Sequence, residues 1–154
     1  MEIKRITLTE ANLVVDLFDK YRSFYEQPQD KALAENYITE RLSKDESVIF
    51  VALQNGNGKI IPMGFTQLYP KYSSVNAKKN WILNDLFVDS KHRKKGIGEA
   101  LIKTAMHFAK TDGATYIQLE TAVDNYPAQS LYNTIGFKKQ EPESGYLVYR
   151  MELI

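Results

Sequence analysis

The stretch "WILNDLFVDSKHRKKGIGEALI", residues 81–102, decides the fold. Residues 81–89 are apolar enough for a strand lying centrally in a sheet. A basic loop and Gly-Ile-Gly follow. Then Ile97, Ala100, Leu101, Thr104, Ala105, Phe108 and Ala109 recur at helical spacing, and Gly113 ends the run. A glycine turn opening a helix after a strand is an anion site in general terms, because early helix amides lack intrahelical partners. The Walker A pattern, Gly-x-x-x-x-Gly-Lys-Ser/Thr, is absent. The dinucleotide fingerprint fails as well: Leu101 stands at its third small position, and seven residues separate Val88 from Gly96.

Outward from this stretch, the alternation of "IKRIT" (3–7) predicts a first strand. Thr9 reads as the cap of a helix carrying Leu13, Val14, Leu17, Phe18 and Tyr21, and a second helix is expected over 30–42. "SVIFVAL" (47–53), "NGNG" (55–58) and "KIIPMGFTQLY" (59–69) predict a hairpin, with Pro62 and Gly64 marking an edge strand or a bulge. "PKYSSVNAKKN" (70–80) reads as a polar loop. "TYIQLETA" (115–122) alternates as a strand, and a short helix after Pro127 stops at Gly136. Residues 137–141 and 146–153 read as closing strands. The expectation is a single domain over 1–154 of α/β (α+β) class, with one mixed, mostly antiparallel central sheet flanked by helices.

The totals exclude several functions. A formal net charge of +1 provides no global field for nucleic acid or an anionic membrane. Zero cysteines exclude disulfides, thiolate metal sites and a catalytic thiol. Two histidines, His92 and His107, are too few for a His-rich centre, and both read as surface residues, so no metal is expected. No apolar run approaches the roughly 20 residues that span a bilayer. "MEIKRITLTE" has no signal-peptide core, and the expected location is cytoplasmic.

"LNDLFVDSKHRKKGIGEALI" resembles the cofactor motif of the GNAT superfamily of acyl-CoA-dependent N-acetyltransferases. Its Arg-x-x-Gly-x-Gly falls on Arg93, Gly96 and Gly98. "LETAVDNYPAQSLYNTIGF" resembles the family's second segment at Asn125, Ala128, Leu131, Tyr132, Gly136 and Phe137. The element order matches from end to end. Two departures are Ser90, where the family often has proline, and Lys94, where it often has glycine.

The resemblance implies acetyl-CoA as co-substrate. The amides of Lys94, Lys95, Gly96, Ile97, Gly98 and Glu99 would hold the pyrophosphate, with Arg93 and Lys95 adding charge. Leu86, Phe87 and Val88 would pair their backbone with the pantetheine arm, and a strand N–H would face the thioester carbonyl. Asn125, which also reads as a helix cap, and Ala128 would touch the cofactor. Tyr132, on a stripe that otherwise reads as core, would protonate the departing thiolate.

The acceptor side is less legible. A primary amine arrives protonated and needs a base. Relatives acting on polyamines have a glutamate at the position of Asn84, and strand alternation turns Asp85 to the opposite face. Glu26, Glu120 and Asp124 are weaker candidates, and the base stays unassigned. Tyr21, Phe24, Tyr25, Tyr69, Tyr72 and Trp81 are candidates for an aromatic wall around the amine. The leading expectation is acetyl transfer to a small-molecule primary amine within a ternary complex. Two alternatives stand beside it, a non-catalytic coenzyme A-binding module and an acetyltransferase acting on a protein or peptide amine. Many members of the superfamily form homodimers, and the resemblance leaves a homodimer open for this chain.

Overall fold

The computed structural model describes residues 1–141 and 145–153. They fall into two compact units, Met1–Glu120 and Thr121–Ile154. In the first unit, five strands form one sheet in chain order: β1 (Glu2–Arg5), β2 (Val48–Gly56), β3 (Lys59–Ser73), β4 (Lys78–Val88) and β5 (Ile117–Gln118). Neighbours pair antiparallel except β5, which joins β4 in parallel. The sheet is therefore mixed and mostly antiparallel, as expected. Helices α1 (Asn12–Phe24), α2 (Lys31–Ser43) and α3 (Ile97–Thr111) flank it.

The hairpin forms where Asn-Gly predicts it. Asn57 and Gly58 take φ of 52° and 75°, the two positive values a tight hairpin turn requires. Pro62 and Gly64 mark a bulge, not an edge: β3 is interior, and its register on β2 jumps from Ala52↔Gly64 to Leu53↔Pro62, leaving Met63 extra. The polar loop expected at 70–80 shrinks to residues 74–77, because Lys71↔Asn80 and Ser73↔Lys78 continue the β3–β4 ladder. Polar side chains there reflect exposure of the ladder rather than its absence. α1 starts at Asn12, after a 3-10 turn in which the Thr7 amide donates to the Glu10 carboxylate at 3.1 Å. Thr9 thus lies inside that turn and caps nothing.

One face of the sheet packs Ile49, Val51, Leu53, Phe65 and Phe87 against Val14, Val15, Leu17, Phe18, Ala34 and Ile38 of α1 and α2. On the other face, α3 buries Ile97, Leu101, Ile102, Ala105 and Ala109 at the spacing of a single helical face. Fully burying a side chain such as Phe65 or Leu101 contributes about 1.5–3 kcal/mol.

In the second unit, α4 (Tyr126–Ile135) is capped by Asn125, whose Oδ1 accepts from the Ala128 amide at 3.3 Å, and it ends at Gly136 with φ of 118°. Among the described residues, the closing strands expected at 137–141 and 146–153 do not form: no ladder runs through either segment there, and Tyr146, Leu147, Val148 and Tyr149 are exposed. Alternation permits a strand, but backbone groups need a partner to make one. The expected strand at 115–122 keeps a ladder only at Ile117–Gln118 for the same reason.

Candidate active site

Within the first unit, the decisive local feature is a second bulge. The β3–β4 register jumps from Gln67↔Asp85 to Leu68↔Leu83, so Asn84 is the extra residue on β4. Trp81 faces α3, its ring 5.1 Å from Phe108, whereas Phe87 faces α1, its ring 6.4 Å from Tyr21. The parity of the strand therefore flips between them. Strict alternation puts Asp85 on the face opposite Asn84; the bulge overturns that expectation. Both side chains lie together, and Asn84 Nδ2 donates to Asp85 Oδ1 at 2.8 Å.

Asp85 is the centre of a polar cluster that only partly matches the expected aromatic wall. Gln67 Nε2 donates to its Oδ2 at 2.5 Å, and Tyr21 supplies a further hydrogen bond. Burial pushes the Asp85 carboxyl above the usual carboxylate range, opposed by the bonds from Asn84, Gln67 and Tyr21. Beside it, the hydroxyls of Tyr37 and Tyr69 lie 2.7 Å apart. Burial and the bond to Tyr37 raise the Tyr69 phenol far above its ordinary value, so it stays neutral. Tyr21, Tyr25 and Phe24 form a chain of edge contacts along the end of α1. Trp81 and Tyr72 do not join this group: they line a separate cleft with Arg5, Lys79, Phe108 and Asp112. Gln67 and Tyr37 were not foreseen from sequence. The adjacent polar pair Asn84-Asp85 in an otherwise apolar strand was the available sign of a bulge.

β4 is pinned at one end and open at the other. Trp81 Nε1 donates to Asp112 at 2.9 Å, and the Asn80 side chain accepts from the Thr115 and Tyr116 amides. β5 pairs only with Trp81 and Ile82, so beyond Ile82 that edge of β4 has no strand partner among the described residues. Leu86, Phe87 and Val88 lie on this open length. The glycine loop follows, with Lys94 and Gly96 both left-handed at φ of 62° and 79°. No Cβ clash explains Gly96; its backbone conformation does. The amides from Lys94 to Glu99 make no hydrogen bond to the described residues, so six N–H donors cluster at the start of α3. Such a set fits a diphosphate-bearing group such as coenzyme A, and an unpaired strand edge fits its amide arm.

Arg93 holds the base of the loop. Its Nε donates to the Val88 carbonyl at 3.0 Å, and its guanidinium lies within 6 Å of both the Phe24 and Phe87 rings, at 5.9 and 5.8 Å. It therefore ties the loop to the ends of β4 and α1. Asp89 makes a parallel tie: it accepts from Lys20 Nζ at 2.7 Å and caps the Lys91 amide. His107 is exposed as expected, but His92 is half-buried, and its Nδ1 lacks a partner among the described residues.

The Lys20 bond, followed by the Lys91 amide, holds the Asp89 carboxyl below its ordinary value. A carboxyl held low contributes stability at pH above its unfolded value and loses it as pH falls through the folded one. Asp89→Asn is therefore expected to melt below the wild type at about pH 7, with the gap narrowing by about pH 3. A gap of constant size at both values would remove the Lys20–Asp89 pair as its source.

In the second unit, Tyr132 lies half-buried on α4 with its ring 5.9 Å from Phe137. The Tyr132 carbonyl accepts from the Gly136 and Phe137 amides at the helix end. The cap formed by Asn125 uses its carbonyl oxygen rather than its amide nitrogen. Ala128 supplies the amide it caps. No helix among the described residues is long and apolar enough to cross a membrane.

The chain is 40% identical over 149 residues to the uncharacterised N-acetyltransferase YhfO of Bacillus subtilis (strain 168), covering 97% of this chain and 95% of the relative. A crystal structure of a probable acetyltransferase superposes with a TM-score of 0.87 at 34% identity, covering 99% of each chain. The aminoglycoside N-acetyltransferase AAC(6')-Iy, solved in complex with CoA, shares the fold at a TM-score of 0.77 and 19% identity, over 97% of this chain and 93% of that one. The acetyltransferase (GNAT) family model matches residues 13–137. With that match and these relatives, the chain belongs to the GNAT acetyltransferase family and is an N-acetyltransferase.

Proposed function

We propose that the enzyme moves an acetyl group from acetyl-CoA to a primary amine of a small molecule, directly and within a ternary complex. The observation that carries this reading is the continuity of two donor surfaces. The unpartnered amides of residues 94–99 lead straight from the open length of β4 at Leu86–Val88. The first would bind the pyrophosphate and the second the pantetheine arm of acetyl-CoA, which supplies the activated thioester. A like-folded enzyme solved with CoA supports the cofactor. The buried Asp85 carboxyl beside the Tyr37 and Tyr69 hydroxyls suits a cationic acceptor.

Tyr132 is the proposed proton donor. Coenzyme A leaves poorly as a bare thiolate, and a phenol with an ordinary pKa of about 10 remains protonated at neutral pH. The family motif, rather than local geometry, supports its role. Asn125 and Ala128 would add cofactor contacts from the same segment. With no cysteine in the chain, transfer without a thioester intermediate on the enzyme is the economical route. Thiol release from acetyl-CoA over a panel of primary amines tests the assignment. Tyr132→Phe should lose about 10²–10³ in kcat while acetyl-CoA still raises the melting temperature. A variant as fast as the wild type would remove Tyr132 from the mechanism.

A further inference from the structure

We propose that Tyr21 and Asp85 form a relay that takes the proton from the acceptor amine. The proposal rests on the acetyl-transfer reading above. Asp85 is 2% exposed, so a substrate amine does not reach its carboxylate directly. Tyr21 on α1 is half-buried and hydrogen-bonded to it. The carboxylate has no cationic partner within ion-pair distance among the described residues. Gln67, fully buried, spends its amide N–H on Asp85 and leaves its own Oε1 without a partner. Two buried acceptor groups with no cation between them are costly for a structural element. They are the expected receivers of a proton passed inward from an ammonium at Tyr21.

The surroundings support a carboxylate that accepts a proton. Tyr21 faces it from α1, Gln67 and Tyr69 from β3, and Asn84 from its own strand. Tyr37 of α2 lies behind Tyr69, and Arg41 stacks over Tyr37 while pairing with Glu40 and Glu46 at 3.1 Å each. That guanidinium is committed elsewhere. Burial, the leading influence on Asp85, strengthens it as a base.

In the transfer, an ammonium N–H bond breaks and its proton passes to Tyr21 Oη as the Tyr21 O–H proton moves to Asp85. The ammonium and carboxylate charges cancel, and both Tyr21 and the amine end neutral. The amine then attacks the thioester carbon; the C–N bond forms and the C–S bond breaks. Sulfur receives a proton from the general acid, which recovers one from the nitrogen. Asp85 returns its proton to solvent through Tyr21, giving amide, thiol and one released proton. Tyr21 is the catalytic residue of this pair, and Asp85 is the proton sink behind it.

The test compares wild type, Tyr21→Phe, Asp85→Asn and the double variant, reading kcat for thiol release with saturating n-butylamine or cadaverine from about pH 5.5 to 9. Each single variant should lose about 10²–10³, with the double no worse than the slower single. The acidic limb of the wild-type kcat profile should vanish in both singles, while stabilisation by acetyl-CoA persists. Multiplicative losses, or Tyr21→Phe within about twofold of wild type, would overturn the relay. Should Asp85→Asn not fold, the Tyr21→Phe comparison alone decides, and a rate within about twofold of wild type overturns the relay. Failure of the underlying reading looks different: wild type itself releases no thiol with any amine, and relay and acetyl transfer fall together.

Discussion

Acetyl-CoA at a hundred times its Kd is expected to stabilise the wild type by about 2.7 kcal/mol and to leave Gly98→Leu unmoved. For a chain of this size, that is a rise of roughly 5–11 °C in melting temperature. Gly98 lies in the first turn of α3, where helical dihedrals suit any L residue, so the backbone does not demand glycine there. A helical glycine costs about 1 kcal/mol relative to alanine, and leucine is nearly as good a helix former. The ligand-free variant should therefore melt no lower than the wild type. Its side chain is expected to fill the space in front of the amides of residues 94–99, which a diphosphate must enter. A variant that folds and is still stabilised by acetyl-CoA would sink the cradle assignment.

Gly64→Ala is expected to do the reverse and damage the fold first. Gly64 pairs with Val88 in the β3–β4 ladder. A Cβ added at Gly64 would lie 2.7 Å from the Phe87 carbonyl oxygen and 3.2 Å from the Val88 Cα. Both are backbone atoms, so the end of β4 must move. Overpacking of this kind costs about 1–3 kcal/mol, roughly 2–12 °C in melting temperature. Gly56→Ala is the matched control, because a Cβ there meets nothing within 4 Å. Since the displaced backbone includes Phe87 and Val88, cofactor stabilisation should weaken alongside. A Gly64→Ala protein that melts with its control would show that the two strands tolerate a wider spacing there.

Much of the donor half of the site was legible from residue order. Apolar runs, the Asn57-Gly58 turn and the Gly96-x-Gly98 helix start are local signals, each fulfilled within a few residues of itself. The closing strands were misread because alternation at 146–153 is a local property, whereas pairing depends on a distant partner. The partners of Arg93 were not legible: the Val88 carbonyl and two rings, one of them on α1. Nothing in the loop itself encodes that contact.

By itself, the sequence determined the strand–loop–helix unit at 81–111, and with it the family and the cluster of amides, because helix and turn preferences act over a few bonds. Only the tertiary structure decided the surroundings of Asp85. One extra residue at Asn84 reverses the facing of β4, and it brings Asp85 from the expected far face to Gln67 of β3 and Tyr21 of α1. A bulge is set by the register between two strands, and a carboxylate's partners by what packs over it. Neither quantity resides in any single segment of the chain.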